Sequence, residues 1–235
     1  MINIVIIKTK AIVMKRTIIF ISLLLFAVIY FNCNSSTTSP GNTLTSISTI
    51  SGKIQSWTLG NKTLKVLSNN YTLLTSTNID NSGNFTINFP ANVQDSLLYA
   101  PFPGDSNCAK NINLNPSDLK DTYIIFGVYE DSNLLGYVYK EYGNQLYSGY
   151  IRLEYFYYNN SGSFNGTENC NRSGLTENAT FSVSFPKGWY YEVLTIDSSS
   201  YNYIKYHVNS TEPSGLTWDY QPLYDKYNPD KYFKK

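Results

Sequence analysis

The chain has 235 residues, of which 15% are charged and 16% aromatic, with 22 tyrosines and a net charge of +1. That length suits one large domain or two small ones, and its apolar content excludes wholesale disorder. The scarcity of Ala, Glu and Lys excludes a coiled coil, and the near-neutral balance excludes the basic face of a nucleic-acid binder.

The first element is an export signal. Lys15 and Arg16 precede an apolar run from Thr17 to Phe31, followed by Asn32, Cys33 and the polar stretch NSSTTSPGNT. A basic segment, an apolar segment of this length and a polar exit are the parts of a secretory signal helix. The run falls short of the ~20 residues of a membrane span. Met14 lies directly before Lys15, so a signal starting there has ordinary proportions, with residues 1–13 as an upstream extension. The segment Tyr30-Phe31-Asn32-Cys33 resembles the lipobox of bacterial lipoproteins. It departs from the usual Leu at the first place and a small residue before the Cys. The resemblance implies lipidation at Cys33 and anchoring of the exported chain to a membrane of the bacterial envelope, on its periplasmic or surface face. More than one acyl chain gives stable anchoring. The alternative is an uncleaved N-terminal anchor with a chance Cys. Residues 34–45 then form a polar tether. Removing residues 1–32 takes away Lys8, Lys10, Lys15 and Arg16, which leaves 14 basic against 17 acidic residues.

Beyond the tether the chain reads as β throughout. Tyr, Phe, Ile, Val and Thr suit a pleated, half-buried surface. Strand patterns open at Ile47 and continue around Leu64–Val66 and Tyr71–Leu74, with turns at Gly60-Asn61 and Asp80-Asn81-Ser82-Gly83. Phe85, Ile87 and Phe89 alternate strictly with Asn84, Thr86 and Asn88, and Pro90 ends the strand. The segment Ile50–Pro90 resembles the opening of carboxypeptidase-regulatory-like or transthyretin-like β-sandwich domains. The matching elements are Gly52 in the opening strand, a middle strand around Val66 and the turn Asp80–Gly83 before Phe85. The resemblance implies an immunoglobulin-like sandwich over residues 46–115, in a family whose members are usually non-catalytic spacers or binding modules.

A polar stretch follows Pro101-Phe102-Pro103-Gly104, with a short helical turn expected at Asn115–Asp118 and a domain boundary near 115/116. Residues 116–235 are expected to form a second antiparallel β domain. Tyr123–Tyr129 and Leu134–Tyr139 flank Glu130-Asp131-Ser132-Asn133 as a hairpin. In Gly149–Tyr158, Ile151, Leu153, Tyr155 and Tyr157 alternate against Arg152, Glu154 and Phe156. Asn159–Asn178 reads as a long polar loop. Phe181, Val183 and Phe185 alternate with serines, and Pro186-Lys187-Gly188 leads into Trp189–Asp197. The phrase Phe185–Trp189 resembles a hairpin of envelope lipoproteins of Bacteroidota-like bacteria. Tyr201–Val208 is another strand, and Trp218–Lys235 is a Tyr- and Lys-rich end. No fixed-period repeat is present.

Candidate chemistry is sparse. Cys108 and Cys170 form the remaining even pair of an exported chain, which favours a disulfide over two separate buried thiols. Two thiols and the single His207 do not complete a tetrahedral metal site without carboxylates, so neither metal nor cofactor is expected. His207 lies in a strand with no nucleophile-elbow glycines around any Ser. Glu130 and Asp131 are adjacent and point to opposite sides of a strand, so they do not make a glycosidase pair. Asn78-x-Asp80-x-Ser82-Gly83 has calcium-loop spacing, but Phe89 stands at the twelfth place, which favours an ordinary turn. Trp57, Trp189 and Trp218 are candidate ligand-stacking aromatics, with core packing as the alternative. Lys226, Lys231, Lys234 and Lys235 are diluted by Asp225 and Asp230. The expectation is a lipid-anchored, non-catalytic envelope protein with a structural or partner-binding role. The alternatives are a carbohydrate-binding module and, behind it, an enzyme on a β scaffold. Partners are the membrane and an envelope protein or polysaccharide, not nucleic acid.

Overall fold

Period-2 patterning produces strands along most of the chain. The computed structural model describes residues 44–145 and 147–223, in which thirteen strands and one short 3-10 turn, Asp95–Leu97, are formed. The signal segment, Cys33, most of the tether and Lys226–Lys235 lie outside the described residues. No helix among the described residues is long and apolar enough to cross a membrane.

The first four strands are β1 (Thr49–Lys53), β2 (Lys62–Ser68), β3 (Leu73–Ile79) and β4 (Asn84–Asn88). β1 and β4 form a two-stranded sheet of their own, with Ile50 opposite Ile87 and Gly52 opposite Phe85. The remaining strands are β5 (Cys108–Asn115), β6 (Asp121–Glu130), β7 (Asn133–Tyr142), β8 (Ile151–Tyr158), β9 (Gly162–Arg172), β10 (Leu175–Phe185), β11 (Gly188–Ser200), β12 (Tyr203–Asn209) and β13 (Thr217–Pro222). They join β2 and β3 in one long sheet of order β3-β2-β6-β7-β8-β11-β12-β10-β9-β5, with β13 added beside β7.

The all-β, sandwich-like architecture follows from which faces are apolar. Ile50, Phe85 and Ile87 of the small sheet, with Phe89 just after it, pack against Leu64, Val66, Phe126, Val138, Tyr155 and Trp218 of the long one. A second core holds Leu119, Tyr158, Phe164, Phe181, Phe185, Tyr190 and Val208. β8 and β11 serve both. Tyr157 and Trp189 enter the first core, while their neighbours Tyr158 and Tyr190 enter the second. Successive strand residues point to opposite faces, so β8 and β11 form a wall with one face in each core. Tyr191 packs against both.

The boundary expected near 115/116 does not divide the strand pairing. β2 pairs with β6, and β5 pairs with β9. The expected polar loop of residues 159–178 is instead mostly the hairpin β9–β10, turning at Ser173 (φ 52°) and Gly174 (φ 86°). Two consecutive positive φ angles are the signature of the hairpin turn whose twist matches that of its strands. The hairpin expected at Phe185–Trp189 is not formed either. β12 lies between β10 and β11, parallel to the former and antiparallel to the latter. The end of the chain contributes β13, paired with β7. The turns at Asp80–Gly83 and at Asp131-Ser132 stand as read. At Asn115–Asp118 a single turn forms, closed by Leu119 N–H on the Pro116 carbonyl at 3.3 Å.

Candidate functional site

Trp57, Trp189 and Trp218 do not form a stacking surface. Trp189 and Trp218 are core residues. Trp189 lies on Phe89 with ring centroids 4.7 Å apart and donates Nε1–H to the Pro90 carbonyl at 2.7 Å. Trp218 meets Phe85 and Phe126 edge-on and stacks on Tyr155. Trp57 is half-buried, edge-on to Tyr220, and donates to the Gly60 carbonyl at 2.8 Å. Each indole N–H of Trp57 and Trp189 thus has a partner inside the fold, as buried indoles require. The glycine of the opening strand also serves this core, because a Cβ on Gly52 would stand 2.4 Å from Trp218 Nε1.

Tyrosines make an exposed aromatic surface on the face of β6–β7–β8 that turns away from the first core, while Tyr99, Tyr147 and Tyr201 are exposed elsewhere. On β7, Val138 enters the first core, which sends Tyr137, Tyr139 and Glu141 to the other side. On β8, Leu153, Tyr155 and Tyr157 enter the first core, which sends Arg152 and Glu154 to that same side. β13 completes the face, with Gln221 opposite Tyr137, Asp219 opposite Tyr139 and Thr217 opposite Glu141. A close approach makes this possible, because a Cβ on Gly136 would stand 2.3 Å from the Gln221 carbonyl oxygen.

Two hollows run along the face. The larger, about 640 Å³, lies between β7, β13 and residues 142–145; the smaller, about 220 Å³, is bounded by Tyr71, Tyr123 and β6–β8. Tyr137, Tyr139 and Arg152 line both, so they form one groove. The Tyr137 and Tyr139 rings are 6.4 Å apart. Tyr71 and Tyr142 are 62% and 61% exposed at its ends, and Tyr123 is 44% exposed. A third hollow of about 270 Å³ joins Arg152 to Glu177 and Tyr206, where β8 and β11 meet β10 and β12.

Arg152 is the charged centre of the groove. Its Nη2 donates to Glu154 Oε1, and its guanidinium carbon is 5.5 Å from the Tyr139 ring centroid. Burial disfavours its charge, yet Glu154 and the Tyr150 phenol hold its pKa above the usual arginine range. Its Nε is buried with no acceptor among the described residues. Opposite it, buried Glu141 accepts Tyr150 O–H at 2.5 Å and Gln221 Nε2–H at 2.9 Å. Burial raises the pKa of Tyr137 and Tyr139, so both phenols stay neutral across physiological pH.

The other candidates resolve separately. Cys108 and Cys170 are directly opposed on β5 and β9 and form a disulfide. Glu168 lies near both sulfurs, but these are committed to each other and Glu168 pairs with Lys110 at 3.1 Å. His207 Nδ1 is 2.7 Å from Asp197 Oδ1 on the adjacent strand, both partly exposed, and lines none of these hollows. Asp80 closes the calcium-like segment as an Asx turn, accepting the Ser82 and Asn84 N–H groups at 2.8 and 2.9 Å; bonding to Asn84 and these amides lowers its pKa. Glu130 ends β6 at the hairpin tip and pairs with Lys62.

No family model, curated protein or solved structure matches the chain.

Proposed function

We propose that this chain is an exported, lipid-anchored protein of the bacterial envelope whose β body is a non-catalytic binding module, with the tyrosine groove of β6–β7–β8 and β13 as its binding surface. The observation that carries the reading is the groove itself. Tyr71, Tyr123 and Tyr142 remain exposed on a body whose tryptophans lie in or against its cores. Aromatic side chains of this size are ordinarily buried, and rigid tyrosines give large contact area at low entropic cost. Strands hold the groove from both sides, which keeps it formed before a ligand arrives.

Export and acylation at Cys33 are supported by Lys15-Arg16, the apolar run and the lipobox-like segment. A non-catalytic role is supported by the sparse acid–base residues of the sequence, which is 15% charged and has a single His. The kinship we infer for residues 50–90 is with transthyretin-like sandwiches. It rests on Gly52, the strand around Val66 and the Asp80–Gly83 turn before Phe85. Metabolic labelling with a fatty-acid analogue tests the anchor. Wild-type chain takes the label and fractionates with membranes, and a Cys33→Ala variant does neither. A variant that labels as strongly as wild type contradicts the proposal.

A further inference from the structure

The chemistry of the groove points to a class of ligand. Its two central rings, Tyr137 and Tyr139, lie two residues apart on one strand face, with centroids 6.4 Å apart. A flat ring offers a π-face that suits the C–H face of a sugar ring, and two rings at this spacing offer seats for consecutive units of a chain. Beside each ring, across the β7–β13 ladder, stands a polar group: Gln221 opposite Tyr137, and Asp219 opposite Tyr139. Directly opposed residues have Cβ atoms ~5 Å apart. A sugar seated on either ring therefore presents its hydroxyl edge to a carboxylate or an amide, groups able to accept or donate in pairs.

The wall of the larger hollow favours this class over a peptide. Its aliphatic members are Pro222 and Leu223, against Glu141, Asn144, Gln145 and Asp219. A peptide is usually anchored by an apolar or aromatic side chain in a desolvated pocket, and beyond its tyrosines this wall offers only Pro222 and Leu223 to seat one. Charge narrows the class further. Among the described residues that line it, Glu141, Glu154 and Asp219 stand against Arg152 alone, which Glu154 already pairs. An anionic polymer meets net repulsion there. We infer that the groove binds a neutral polysaccharide chain, with sugar rings on Tyr137 and Tyr139 and hydroxyls on Asp219 and Gln221. The inference rests on the groove being the binding surface and is independent of acylation at Cys33.

The test applies the detergent-solubilised full-length chain to an array of defined glycans. The neutral set is β- and α-glucans, mannans, xylans and chitin oligosaccharides; polyuronates and sulfated glycans form the anionic set. Wild type binds at least one neutral class in preference to every anionic one. Tyr139→Ala weakens that binding at least tenfold, while Tyr139→Phe, which keeps the ring, stays within threefold. Tyr142→Ala removes a 61% exposed ring, and Gln221→Ala removes the side-chain amide beside Tyr137; both weaken binding and provide the test if Tyr139→Ala does not fold. No neutral binding, a preference for polyuronates, or ring-deleted variants that bind as wild type overturns the inference. Shielding of Tyr71 and Tyr142 in intact cells, with no glycan bound on the array, would discard the ligand class while leaving the groove a binding surface.

Discussion

The Tyr158 hydroxyl donates to the Glu192 carboxyl inside the wall that β8 and β11 share. Glu192 is buried and stands directly opposite Glu154. Burial raises its pKa to about 8, helped by Glu154 and Asp121 and opposed by the Tyr158 hydrogen bond. Burial likewise raises Asp121 to about 7. Both carboxyls therefore hold protons in the folded chain that they release near pH 4 when unfolded. Between about pH 4 and pH 8 the folded state binds more protons, so stability falls as pH rises, by on the order of a few kcal/mol for such shifts. Thermal melts are expected to show a lower Tm at pH 8 than at pH 5. Glu192→Gln keeps a neutral group of the same shape beside Tyr158. It should leave the pH 5 melt nearly unchanged and raise the pH 8 melt. An unchanged pH slope in that variant would place the proton elsewhere.

The disulfide staples an edge strand. β5 is the last strand of the long sheet, paired on one side only, to β9, and Cys108 sits opposite Cys170 at its first residue. Sixty-two positions separate the two cysteines. Loop-closure entropy for such a span corresponds to on the order of 4 kcal/mol. A Cys108→Ala/Cys170→Ala variant is expected to melt roughly 10 °C lower, at ~2–4 °C per kcal/mol for a domain of this size. It should also be cut faster between residues 104 and 116. Two free thiols in the exported protein, or an unchanged melt, would contradict the staple.

The tryptophans provide a third check. Trp189 and Trp218 are core residues, so the folded chain should fluoresce at short wavelength and resist quenching by iodide, with half-buried Trp57 the most accessible. Trp218→Ala should cost about 3–5 kcal/mol, as large aromatic deletions in cores do. Gly52→Ala should also destabilise, because its Cβ would stand 2.4 Å from Trp218 Nε1 with no flexible end to give way. Measured by urea unfolding, a loss under 1 kcal/mol in both variants would move Trp218 out of the core.

Much of the strand content was legible because one side of those strands is wet. Phe85, Ile87 and Phe89 alternate with polar residues because β4 covers a core on one side only. The same reasoning failed for β9, where Ser, Asn, Thr, Glu and Arg fill most positions and Gly162 and Gly166 interrupt the apolar pattern. Phe164 and Cys170 are its buried exceptions. Lateral order was not legible either. A turn such as Pro186-Lys187-Gly188 fixes local geometry, but whether β12 enters between β10 and β11 depends on pairings formed later in the chain. The groove was hidden for a related reason. Tyr137 and Tyr157 carry the same side chain, and only the position of the first core leaves one lining the groove and the other buried. The alternation of Arg152 and Glu154 against Leu153 and Tyr155 was visible in β8. With Val138 between two tyrosines in β7, it was the signal that marks the open face.

The central claim is that the tyrosine groove is the surface this protein uses in the envelope. Tyrosine nitration of intact cells and of purified full-length chain, read residue by residue by mass spectrometry, tests it most directly. Tyr201, fully exposed at the β11–β12 turn and outside the groove, is the internal reference. The account predicts that Tyr71 and Tyr142 are nitrated several-fold less in cells than in the purified chain, relative to Tyr201. Equal modification of all three in both states would contradict it.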